Sequence, residues 1–496
     1  MIKTKKRKSD PKVEKLKLEL KIVSSEKKQL ETILKNIFSA KTFKAWQFYC
    51  HNRDSFLKKI RSPHKIKKII RHLYYLLSQT TRMLINGDKK LYFVDVKPFQ
   101  IKQINSRVSV IIPTFNAGKD FKDNLLSINK QQRIYEIEII IVDNNSSDQT
   151  VKTALSLGCT IMKINNFSHS RSRNLGAKSA TGDYIIFTVQ DANFKDSLAF
   201  CKLLNFIKSN KLAAASGQQI PNNYADNFSK WQMQRHYDFM NPKRQNIIIK
   251  GAELSKQMFL LDFFEKRKLM LIDDVFSCFN AQIFKKYYFS EANRFAEDIE
   301  LTIKLLKDKF DFGVTPYSQV LHSHNRDSIY YFKRTFVDIC SLNSIFKESL
   351  NRINSHLIEN INLILNLMIA IELSLKDDDK LSPKNFKSYL LKKNIADKYN
   401  QSLFYSYFYK ILKNIKFDLN IYTNKFSYSL LTNEIISCWK DYLSFLKKSQ
   451  SYTKSNHKAD FLKISAIVLA GYLGEIVNKI TDKKIKRTFD LLSESI

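Results

Sequence analysis

The strongest constraint on the fold lies between residues 105 and 345, where short apolar runs alternate with segments of helical spacing. The run "RVSVIIP" (107–113) ends in the turn "TFN". The segment "KDFKDNLLSINKQ" (119–131) reads as a helix, and "YEIEIIIVD" (135–143) as a second strand. After another helix, "CTIMKIN" (159–165) reads as a third strand. These runs are nearly continuous in apolar residues, so both faces of each strand must be covered. Strand–helix alternation with such strands predicts an α/β fold, with a mostly parallel sheet between layers of helices. Ligands of such sheets bind beyond the carboxyl ends of the strands. Asp143 and, in "YIIFTVQDA" (184–192), Asp191 stand at two of those ends.

Residues 1–104 read as a basic, helical region, and 346–496 as a second helical region with no strand–turn rhythm. Near the start, Leu16, Leu20, Val23, Lys27, Leu30, Leu34 and Ile37 follow a 4-3 spacing broken at Lys27. That spacing suits a short coiled coil, through which the chain could oligomerise, as well as a helix packed on its own protein. The segment 63–86 is a basic amphipathic helix of the kind that lies on an anionic membrane or docks on a core. A second stretch for membrane attachment is "FLKISAIVLAGYLGEIVNKI" (461–480), flanked by Lys463 and Lys479. No run of about 18 apolar residues occurs, so no spanning helix is expected. The start "MIKTKKRKSDPK" has no apolar core and is not expected to be a signal peptide. A net charge of +36 calls for a polyanionic neighbour, nucleic acid or an anionic membrane face. The six cysteines are scattered with no CxxC pair, which suits a reducing compartment and offers no zinc site.

Several residues could carry chemistry. Asp143, ahead of "NNSSDQT", could accept hydrogen bonds from a nucleobase or ribose, or simply cap the next helix. In "FSHSRSRNLGAKSATGDYIIFTVQDA" (167–192), Arg171 and Arg173 stand two residues apart ahead of the strand. Their planar forks suit phosphate oxygens, and a pair of solvated surface arginines reads the same way. Asp191, with Gln190 before it, could hold a divalent cation against a diphosphate. Glu297 and Asp298 open an amphipathic helix, whose dipole keeps a carboxylate ionised as a general base requires. His322 and His324 are one residue apart, so on an extended chain they face opposite ways and at most one is a ligand.

In this order and spacing, these motifs resemble the inverting glycosyltransferases of family 2. The resemblance spans roughly residues 105–345 and is closest to the bacterial rhamnosyltransferase-like branch. It is carried by the stretch 168–192, "FSCFNAQIFKK" (276–286), "FAEDIEL" (295–301) and "LHSHN" (321–325). It implies a GT-A fold and a nucleotide-diphosphate sugar donor, for which the branch suggests dTDP-rhamnose. By resemblance, Pro113, Thr114 and Asn116 would line the nucleotide pocket and Asp143 would contact base or ribose. Arg171, Arg173, Asn174 and Gln190 would lie on the donor side. Asp191 would hold Mg²⁺ or Mn²⁺ together with His322 or His324, and Asp298 would be the catalytic base with Glu297 beside it. Many members carry a second acid two residues after the first, where this chain has Asn193.

The expected acceptor is a glycan or lipid-linked sugar of a surface polysaccharide, reached from the inner face of the cell membrane by peripheral attachment. The competing reading is a basic nucleic-acid- or membrane-binding scaffold with a non-catalytic domain of this fold. No zinc-finger or RRM signature is present, so nucleic acid is not an expected partner.

Overall fold

The computed structural model describes residues 93–96, 100–258, 261–270, 272–292, 295–347, 356–377, 400–414, 425–449 and 457–493. The expected coiled coil and the basic helix at 63–86 lie outside these residues.

Among the described residues, ten strands form one sheet. They are β1 (Phe93–Val96), β2 (Ile104–Thr114), β3 (Ile134–Asp143), β4 (Thr160–Lys163), β5 (Tyr184–Thr188), β6 (Asn193–Phe194), β7 (Ala214–Ile220), β8 (Asn246–Ile249), β9 (Phe276–Asn280) and β10 (Phe312–Leu321). Their order is β1-β8-β10-β7-β9-β5-β2-β3-β4, with β6 paired to β10. Strands β2, β3, β4, β5, β7 and β10 run in one direction, while β6, β8 and β9 run against them. This is the mostly parallel α/β sheet expected from the sequence.

Alternate residues of the apolar strands enter opposite cores, which is why the strands carry no polar face. Ile111, Ile140, Val142, Ile185 and Phe187 pack on one side with α3 (His169–Ser179), α8 (Ala281–Tyr287) and α9 (Glu297–Lys307). Val110, Ile112, Ile139, Ile141 and Ile186 pack on the other, with α1 (Phe121–Asn129) and α4 (Ala199–Asn210). The remaining helices of this part are α2 (Thr150–Ser156), α5 (Asn227–Met240), α6 (Gly251–Gln257) and α7 (Phe263–Leu269).

Two boundaries differ from the sequence reading. Residues 93–96, placed in the helical N-terminal region, form strand β1, antiparallel to β8. The C-terminal helices also begin earlier, at α10 (Ser328–Phe346), and share its core. Phe332 and Phe336 of α10 join the helical cluster, whereas Leu342 and Phe346 join the sheet's core. Lys89–Ile496 is accordingly one compact unit.

The helical region contains α11 (Leu357–Asp377), α12 (Leu403–Asn414), α13 (Lys425–Lys448) and α14 (His457–Lys479). Helix α11 is long and apolar enough to cross a membrane, yet 78% of its apolar window is buried inside the protein. Helix α14 contains most of the stretch expected to attach to membrane, and it is almost wholly buried. Its Lys463 amine bonds Asp226 at 2.6 Å, and Lys479 pairs with Glu475 at 3.2 Å. The apolar run is a core helix, and its flanking lysines are engaged internally rather than offered to a membrane.

Candidate active site

The carboxyl ends of β2, β5, β7 and β10 open into a cavity of about 610 Å³. The parallel direction of these four strands brings residues from distant parts of the chain to the same edge.

Asp191 follows β5, and His322 follows β10 directly. His322 Nε2 lies 3.5 Å from Asp191 Oδ1, and His324 Nδ1 lies 3.4 Å from Asp191 Oδ2. The three ligand atoms all lie within 4.8 Å of one another. The expectation that only one histidine reaches the site is therefore corrected: both do. Alternation of side chains holds only on a pleated strand, and β10 stops at Leu321. Beyond it the two rings meet edge to face, with centroids 4.5 Å apart.

The electrostatics suit a divalent cation. Burial and His322 hold the His324 imidazolium down to about pKa 4, so the ring is neutral near pH 7. Burial opposes ionisation of Asp191, but the hydrogen bond and charge of His322, with His324, outweigh it and keep its carboxyl below the usual range. One carboxylate and two imidazoles form a donor set that fits Mn²⁺, with phosphate oxygens completing the shell.

Further acids line the same cavity. Ala296, in the left-handed region at φ 61°, turns the chain into α9 so that Glu297 faces the cavity. The Glu297 carboxylate accepts from Arg173 Nη1 at 2.5 Å. Asp298, half-buried, accepts the Ile299 N–H at 2.7 Å. Burial, with Glu297 and Asp273 nearby, raises its pKa to about 7. Asp298 does not line the larger cavity. A second cavity of about 360 Å³ is lined by its electrostatic neighbours Asp273 and Arg267, though not by Asp298 itself. The two cavities share Gln219, Asp273, His322, His324, Tyr330 and Arg334.

Several donor-side assignments move. Arg173 lines the cavity but is buried, with Asp274 Oδ2 at 3.5 Å as its second partner. Arg171 is turned to Glu291 at 3.2 Å and to the Asn166 carbonyl. Asn174 brackets the Phe289 backbone, donating to its carbonyl and accepting from its N–H. The basic run thus braces α3 against α9 and the chain after α8. Asp143 is fully buried, with its oxygens taken by Thr114, Ser146 N–H and Ser146 Oγ. It holds the loop after β3, as a capping residue does, rather than facing the cavity. Asn116 likewise bonds Ser146 and Ser147 across that turn. Pro113 and Thr114 line the cavity as expected. Gln190 also lines it and clamps the Phe115 backbone at 2.8 Å.

The sequence reading missed four contributors. Phe115, 53% exposed at the cavity wall, offers a ring face of the size a base needs. Arg326 and Arg334 line the cavity and bring cations to it from beyond β10. The pair Asp273-Asp274 precedes β9. Burial and three neighbouring carboxylates raise the Asp274 pKa despite Arg173. The doublet in "LIDDVF" (271–276) was visible, but nothing in its spacing tied it to Arg173 or Gln219.

The glycosyl transferase family 2 pattern matches residues 109–288, the stretch that supplies β2, β5, β7 and Asp191. The chain is 30% identical over 235 residues to the O-antigen chain rhamnosyltransferase RfbN of Salmonella typhimurium, covering 46% of this chain and 70% of that protein. It is 24% identical over 232 residues to the O-antigen chain rhamnosyltransferase WbaN of Salmonella anatum, with the same coverage. Among solved structures, a mannosyltransferase from Pyrobaculum calidifontis in complex with GDP-Man and Mn²⁺ aligns at 12% identity with a TM-score of 0.40, over 82% of this chain and 95% of that one. With the family pattern lying on three of the four strands that build the cavity, and a relative at 30% identity matched over 70% of its length, this chain belongs to glycosyl transferase family 2.

Proposed function

We propose that this glycosyltransferase moves a hexose, with rhamnose the leading choice, from a nucleotide-diphosphate donor to a glycan acceptor in surface polysaccharide synthesis. Transfer proceeds with inversion and depends on a divalent cation. The observation that carries this reading is the cavity itself: Asp191, His322 and His324 converge in it, and Glu297, Asp273 and Asp274 line it with them. The identity of the sugar draws support from the rhamnosyltransferase relatives.

In this reading the base rests on Phe115 and the diphosphate lies toward Asp191, Arg326 and Arg334. Bound Mn²⁺ would neutralise negative charge on the departing diphosphate. The acceptor sugar enters through the smaller cavity, whose walls come from α5 and α10. Asp298 takes the proton from the acceptor hydroxyl. The acceptor oxygen forms its bond to the anomeric carbon on the face opposite the phosphate. The carbon–phosphate-oxygen bond breaks as it forms, and the nucleoside diphosphate leaves with that electron pair. No enzyme nucleophile takes part, so the configuration inverts once.

A binding screen against nucleotide sugars, with and without Mn²⁺, tests the reading. A single carboxylate with two imidazoles should hold Mn²⁺ weakly alone and more tightly once diphosphate oxygens complete the shell. Calorimetry should show that gain, and Asp191→Ala should remove it. Tight Mn²⁺ binding without nucleotide, or full transfer activity in chelator, would contradict the assignment.

We also propose peripheral attachment to the inner, anionic membrane face, supported by the net charge of +36. Each Lys or Arg near such a surface contributes roughly 1 kcal/mol. In flotation the protein should rise with anionic liposomes at low salt and stay behind with neutral ones. Equal recovery with both would end this proposal.

A further inference from the structure

Gln219 stands near the end of β7, opposite Val320 of β10, and lines both cavities. Its backbone N–H donates to the Tyr237 hydroxyl at 2.8 Å. Its side-chain amide bridges two groups of the site. Nε2 donates to Asp273 Oδ2 at 2.5 Å, and Oε1 lies 2.8 Å from His322 Nδ1. A carboxylate only accepts, so Asp273 selects the NH₂ end of the amide. The carbonyl end must then face His322. Reversing the amide would set oxygen against oxygen at Asp273 and NH₂ against N–H at His322. With Oε1 as acceptor, Nδ1 carries a proton, so the nitrogen left to give a lone pair to a cation is Nε2. Nε2 is the atom that faces Asp191.

We propose, resting on the metal reading above, that Gln219 is a positioning residue that fixes the His322 tautomer for metal ligation and ties that histidine to Asp273. Asp273 is itself anchored: its N–H donates to Ser216 Oγ at 2.8 Å, and its Oδ1 accepts the Val275 N–H at 3.1 Å. The bridge therefore runs from a braced acid through one amide to the metal-facing nitrogen. Side chains behind a metal-binding histidine orient the ring in this way, and losing one typically lowers metal affinity about 10- to 100-fold.

Two variants and two readouts test it on the full chain. Gln219→Leu keeps the bulk and removes both bonds. Its Mn²⁺ affinity, measured by calorimetry with a nucleoside diphosphate present, should fall about 10- to 100-fold. Gln219→Glu, paired with Asp273→Asn so that an amide N–H meets the new carboxylate, keeps an oxygen to accept from Nδ1–H and should retain Mn²⁺ affinity within a few-fold. In metal-free, 15N-histidine-labelled protein, His322 should show a protonated Nδ1 in the wild type and the paired variant. It should show mixed tautomers in the Leu variant, with His322→Gln identifying its signals. Unchanged affinity in Gln219→Leu, an unchanged tautomer, or equal losses in both variants would overturn the proposal. Absence of Mn²⁺ binding in the wild type would instead sink the metal reading, and the tautomer measurement would still judge Gln219.

Discussion

Asp298→Asn is expected to lower the transfer rate about 100- to 10,000-fold while nucleotide-sugar affinity stays near wild type. The reason is the environment of this carboxyl. Burial and the neighbouring Glu297 and Asp273 disfavour its charge and bring its pKa to about 7. A base poised there is half ionised at neutral pH and strong enough to take a hydroxyl proton as the bond forms. Below about pH 7 it is protonated, so the wild-type rate should drop about tenfold per pH unit on the acid limb. That limb belongs to the interacting acids as a group rather than to one carboxyl. The same shift has a sign for stability. A carboxyl whose folded pKa lies above its unfolded value opposes folding once it ionises, so the neutral Asn variant should be at least as stable as wild type above pH 7. Lost turnover in a protein of intact stability separates chemistry from misfolding. Glu297→Gln provides the contrast, because Glu297 is already committed to Arg173. It should cost mainly stability and less turnover. The reverse pattern, with Glu297→Gln inactive and Asp298→Asn active, would transfer the role of base to Glu297.

Arg173→Met is expected to destabilise the protein by about 3–5 kcal/mol, read as a lower urea midpoint. Arg173 is buried, as are its partners Glu297 and Asp274. Removing the cation leaves Glu297 in a low-dielectric site without its ion-pair partner, beside Asp274, whose carboxyl burial already pushes toward the neutral form, and that uncompensated charge is the source of the loss. If Arg173 served the diphosphate instead, the variant would keep its midpoint and lose nucleotide affinity, and the bracing role would be wrong.

The sheet was legible because its cause is local. Continuous apolar runs such as "IIIVD" need cover on both faces wherever they occur, and the strand-end acids mark where ligands gather. Asp191 was found on that rule alone, and Glu297-Asp298 on the first turn of an amphipathic helix. The basic run 171–174 misled for a physical reason. An arginine reads identically whether it meets a phosphate or a buried carboxylate, and its partners Asp274 and Glu297 lie about a hundred residues or more further along the chain. The histidines misled because a strand's last residue cannot be placed to within one position from pattern. Once β10 ends at Leu321, both rings are free to turn toward Asp191.

The apolar runs, the strand-end Asp191 and the acidic start of α9 therefore point to the α/β sheet and to the strand edge at which the cavity opens. Each of these follows from neighbours within a few residues. Which arginine is a brace, that both histidines turn toward Asp191, and that Gln219 joins His322 to Asp273 follow from strands bringing remote segments together, while the apolar run of α14 becomes a core helix because α10, α11 and α13 pack around it. Those outcomes depend on distances and on which charges a partner neutralises, quantities that exist only once the chain has closed on itself.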